Sequence, residues 1–174
     1  MTLEGKRIAC LVGDDYEDLE VWYPVLRLRE EGALVDLIGL DGKHACTGKH
    51  GYPAQSDLSI RDVSAKAYDA LIVPGGWMPD KLRRYDSVLQ FCRDFDVAGK
   101  VVATICHGPW ILISAKLLRG RTMTSTPGIK DDVENAGATW VDQEAVRDGN
   151  LISARRPGDL PAFCKLMITA LQEQ

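Results

Sequence analysis

Short runs of apolar residues, each followed by a helix-length segment, are what most restricts the fold of this chain. Arg7–Val12, Ala33–Ile38, Ala70–Val73 and Val101–Ile105 carry few polar side chains. A strand wetted on one face would alternate, so these runs belong to strands covered on both faces. Leu19, Trp22, Tyr23 and Leu26 fall at i, i+3, i+4 and i+7, which predicts a helix with one apolar face. Gly32 is placed to end it. A second helix carries Val88, Leu89, Cys92 and Phe95, a third is predicted over 110–118, and Leu160, Phe163, Cys164, Met167, Ile168 and Leu171 share one face of a last helix. Residues 41–56 read as a polar loop. A strand is expected around 121–125, a short helix ending at Gly137 and a hairpin turn at Asp148-Gly149. Strand–helix alternation at this spacing implies an α/β protein with an open, mostly parallel sheet and helices on both sides. With 174 residues and no repeat or linker, residues 1–174 read as one domain.

The fourth apolar run ends at Cys106-His107-Gly108-Pro109 and leads into another apolar helix. That order describes a sharp strand-to-helix turn with a thiol at its apex, the device that presents a serine in the G-x-S-x-G hydrolases. At a helix N-terminus the thiolate is favoured, which makes Cys106 a candidate nucleophile. The alternative is a small buried cysteine that merely ends a strand. In open sheets of this kind ligands bind beyond the C-terminal strand ends. Three such ends, 14–17, 75–80 and 106–108, are polar or glycine-rich. Gly75-Gly76 near Cys106 could bring backbone N–H groups to a developing oxyanion.

The net charge is -4 and the pI about 5.4, with no basic run, so a nucleic acid is not the expected partner. No run suits a signal peptide or a membrane span, so a cytoplasmic location is expected. Five cysteines without a Cys-x-x-Cys pair argue against a disulfide framework. Cys10, Cys92 and Cys164 fall on apolar segments and are expected in the core, Cys46 in an exposed loop. His44, Cys46 and His50 match no metal-ligand spacing, so no metal is expected.

Six segments resemble, in order, the PfpI branch of the ThiJ/PfpI superfamily. They are Asp15-Tyr-Glu17-Asp-Leu-Glu20, Thr47-Gly-Lys-His50-Gly-Tyr52, Pro74-Gly-Gly76, Ala103-Thr-Ile-Cys106-His107-Gly108-Pro109, Pro127-Gly-Ile-Lys-Asp-Asp132 and Asp148-Gly-Asn150. The resemblance implies a flavodoxin-like three-layer sandwich with a nucleophile elbow, working without a cofactor and assembled as a homo-oligomer. It implies Cys106 as nucleophile, His107 as catalytic histidine and Glu17 as the acid that contacts the thiol. Gly76 and the His107 backbone would form the oxyanion hole, with Gly75 beside them. Asp80, in the place of an acid supplied by a neighbouring subunit, would complete a triad. Trp77 and Thr126 stand where peptidase members carry Arg and Tyr, so they alter the wall of the substrate pocket. The activities implied are cofactor-free glyoxalase or deglycase chemistry on reactive carbonyls, cysteine peptidase activity, or a redox-sensing stress function. The partners would be a small carbonyl compound, a glycated protein or a peptide.

Overall fold

The computed structural model describes residues 2–174. In chain order its strands are β1 (Arg7–Leu11), β2 (Leu34–Gly39), β3 (Ala45–Thr47), β4 (Pro53–Gln55), β5 (Leu58–Ser59), β6 (Ala70–Val73), β7 (Val101–Ile105), β8 (Thr122–Met123), β9 (Thr139–Trp140), β10 (Ala145–Asp148) and β11 (Leu151–Ala154). Its α-helices are α1 (Asp18–Glu30), α2 (Met78–Leu82), α3 (Asp86–Val97), α4 (Pro109–Ser114), α5 (Lys130–Asn135) and α6 (Leu160–Gln172). Seven strands form one sheet in the order β10-β11-β7-β6-β1-β2-β5. All neighbours pair in parallel except β10 and β11, the expected hairpin, which turns at Gly149. The central strands β6 and β7 are buried along their whole length, as uninterrupted apolar runs require.

Three expectations need correction. The segment 41–56 is not a plain loop, because β3 and β4 pair antiparallel within it and bury Cys46. The helix expected over 110–118 stops at Ser114, and Lys116 adopts a left-handed φ of 65°. The predicted apolar face of α1 is the wrong one. Leu19 and Leu26 are more than half exposed and Tyr23 is exposed too, while Val21, Val25 and Leu28, on roughly the opposite side, are fully buried. Two apolar stripes run along this helix, and periodicity alone does not say which one meets the sheet.

The chain order of the central strands reverses between β1 and β6. The loops leaving these two strands are joined there by a Tyr16–Gly76 bridge and by the bonds of Glu17 N–H to Gly75 O and Trp77 N–H to Asp15 O, at the end of the sheet where open α/β folds bind ligands. The loop after β7 reaches the same end of the sheet.

Candidate functional site

Cys106 sits at φ +60°, in the left-handed region that an L residue occupies at a cost of about 1–2 kcal/mol. Its N–H donates to Ala154 O, and its carbonyl accepts from Thr126 N–H at 3.2 Å, so the apex is held from both sides. Two residues on, Gly108 lets the helix press against the strands. A Cβ there would lie 2.3 Å from Val73 O. Cys106 as a residue is 8 % exposed.

Backbone donors around the sulfur are fewer than a helix start would normally offer. The N–H groups of Gly108, Trp110 and Ile111 bond to Ile105, His107 and Gly108 carbonyls, and Pro109 has none. The N–H groups that reach the thiol are those of His107 and, from the neighbouring loop, Gly76. Gly76 has φ +79°, and a Cβ on it would lie 2.4 Å from Asp15 O. Only glycine fits this approach.

The carboxyl that interacts with the thiol belongs to Glu20, not Glu17. Glu17 is the N-cap of α1; its Oε2 accepts Glu20 N–H at 2.9 Å, and its Oε1 lies 3.7 Å from His50 Nε2. In a capping box the acid at Glu20's position would turn back to the Glu17 N–H. Here that N–H bonds to Gly75 O instead, so Glu20 is free to turn inward. Its Oε2 accepts Gly75 N–H at 2.7 Å, and Oε1 is buried with no hydrogen-bond partner among the described residues. The Gly75 N–H is therefore spent on Glu20 and is not an oxyanion donor.

Burial, and then the nearby Glu17 charge, push the Glu20 carboxyl up to about 8. Burial is also the main cause that raises the Cys106 thiol to about 12; the Glu20 carboxylate adds to the rise, and the two N–H groups oppose it. The expectation of a thiol ionised by the helix start is therefore corrected. A helix of six residues with its first N–H groups consumed does not offset desolvation. Near neutral pH both groups hold their protons. The His107 Nδ1 lies 3.2 Å from Sγ, and burial, followed by the Lys49 charge, lowers its pKa, so the ring is neutral and able to accept. His107 is flanked by Trp77 and Trp110, with ring centroids 5.3 and 4.9 Å away.

Asp80 lies on α2 and pairs with Arg84, just past the end of that helix, and among the described residues of one chain it makes no bond to His107. Trp77 is exposed beside His107, and Thr126 contributes its backbone to the elbow. Glu17, Asp18 and His50 each offer a ligand atom within 4.8 Å of the others. Both Asp18 oxygens, however, already accept the His50 and Tyr52 N–H groups at 2.9 and 2.8 Å. Sequence reasoning missed Glu20, Lys49 and Trp110. The second acid of Glu17-Asp18-Leu19-Glu20, one turn beyond the first, was the available signal for Glu20.

A mostly parallel α/β sheet with a strained cysteine elbow, a buried acid and an adjacent histidine defines a cysteine-centred α/β protein. The DJ-1/PfpI family model matches residues 6–170, and the chain belongs to that family. It is 46% identical over 166 residues to a deglycase of Pyrococcus abyssi, covering 95% of this chain and 99% of that one. The deglycase PfpI of Pyrococcus furiosus is 45% identical over the same coverage. Among solved structures, a two-domain protein from Anabaena variabilis with DJ-1/ThiJ/PfpI-like and ferritin-like domains superposes with a TM-score of 0.94 at 38% identity. The match covers 95% of this chain and 48% of that one.

Proposed function

We propose that this protein is a cysteine-dependent enzyme acting on reactive carbonyls, as a deglycase or cofactor-free glyoxalase. The observation that carries the reading is the single cluster of Cys106 Sγ, a neutral His107 at 3.2 Å, a protonated Glu20 and two inward N–H groups. The names of the Pyrococcus relatives support the deglycase class. In the first step Sγ bonds to the carbonyl carbon while the C=O π bond breaks. The thiol proton passes to His107 Nδ1, and the developing oxyanion meets the Gly76 and His107 N–H groups and takes a proton from Glu20. The product of this step is a neutral hemithioacetal. With methylglyoxal and one water, the overall change gives lactate. Positioning and base assistance, rather than a standing thiolate, supply the reactivity.

The Sγ–Nδ1 contact equally favours a second reading, cysteine peptidase activity. That reading needs an acid on His107, which a single chain does not supply while Asp80 pairs with Arg84. We infer a homo-oligomer from the exposed Leu19, Tyr23 and Leu26 on α1. Five free thiols accord with a reducing, cytoplasmic setting. The test is methylglyoxal turnover to lactate without glutathione by wild type and Cys106→Ala. Turnover lost in the variant is expected. No turnover by wild type, of methylglyoxal or of a methylglyoxal-modified peptide, refutes the proposal.

A further inference from the structure

Near Trp110, a cavity of about 550 Å³ opens among α2, α4 and α5. Arg83, Lys116 and Arg119 line it. Among the described residues none of the three is in an ion pair, whereas neighbouring Arg84 and Arg93 pair with Asp80 and Asp86. Arg83 bonds through Nε to Ser114 Oγ at 2.8 Å, and among the described residues its terminal nitrogens make no hydrogen bond. Asp132, the only carboxylate among the described residues of the wall, accepts the Trp110 indole N–H at 2.9 Å. Carbonyls at the end of α4 offset part of this positive charge, but they carry no full negative charge. A concentration of three cations around one space runs against the net charge of -4.

We propose that this cavity binds the phosphate group of a small phosphate monoester. Two guanidinium forks and an ammonium match a tetrahedral dianion in charge and in donor number. The cavity exceeds a phosphate in size, and Ile113 and Leu118 line the remainder, which suits the carbon portion of an ester. The site is separate from the chemistry at Cys106, although Trp110 adjoins both. Its ring packs on His107, Arg83 lies 5.8 Å from the ring centroid, and Asp132 holds the indole.

The test follows the Trp110 indole N–H by NMR in the full chain, with Trp110→Phe to assign the signal. Glycerol 3-phosphate, inorganic phosphate and sodium chloride of equal ionic strength are the titrants. A saturable shift with glycerol 3-phosphate is expected, tighter than with inorganic phosphate. Lys116→Gln and Arg119→Gln, both at exposed positions, should each weaken it by about tenfold. A drift no different from chloride, or unchanged affinity in both variants, overturns the site. Equal affinity for inorganic phosphate overturns its assignment to an ester. The readout needs no turnover, so its outcome is distinct from that of the carbonyl reaction.

Discussion

Glu20→Gln isolates what the buried acid does to stability. In the unfolded chain the carboxyl ionises near its ordinary value of 4.5; in the native chain burial holds it to about 8. Between these values the native state keeps a proton that the unfolded state has lost. Stability from this group is therefore complete below 4.5 and falls as pH rises through about 8. Each pH unit in the window costs about 1.4 kcal/mol, so the loss is a few kcal/mol and about 5 at most. The amide oxygen introduced by the substitution can still accept the Gly75 N–H, and the amide has no charge to bury. Urea denaturation of both proteins at pH 5, 7 and 9 is the assay. The variant should gain on wild type by a few kcal/mol between pH 5 and 9. Parallel stability–pH curves would show that Glu20 ionises normally, and the account of a protonated acid beside the thiol would fail.

Burial that raises the Cys106 thiol to about 12 predicts slow alkylation. Mass-spectrometric labelling at pH 7 should find it slower than a free cysteine, with the rate still climbing at pH 9; a plateau below neutrality contradicts this. The lowered pKa of His107 places the acid limb of kcat/KM below pH 6.5, and His107→Gln should reduce turnover by about 100-fold and remove that limb. Gly108→Ala forces a Cβ to 2.3 Å from the Val73 carbonyl and should destabilise by about 3 kcal/mol in thermal unfolding, although φ at this position suits any residue. Gly76→Ala should lower kcat more than KM, because the strained φ and the crowding by Asp15 O displace one of the two N–H donors at the sulfur.

The β1, β6 and β7 strands were legible because a strand covered on both faces has to be apolar throughout, whatever covers it, and β2, where Leu34 is exposed and Asp36 pairs with Arg7, was legible from its remaining apolar residues. The elbow was legible for a similar reason: a cysteine in a left-handed turn needs a small residue two places on, and Gly108 is there. Position along the chain could not say which acid meets the thiol. Glu17 and Glu20 are one turn apart, and the choice was made by Gly75, 55 residues from Glu20, whose carbonyl takes the Glu17 N–H and whose own N–H takes Glu20. Nor could it say which stripe of α1 is buried, since both are apolar.

What the amino-acid order determines by itself is the set of central strands and the place of the thiol at a turn, because burial pattern and backbone sterics act between near neighbours. The tertiary structure alone decided that the thiol rests protonated, that Glu20 is its acid and that His107 stands between two tryptophans. Each of these depends on desolvation and on groups brought together from distant segments, and the balance of those effects exists only once the chain is packed.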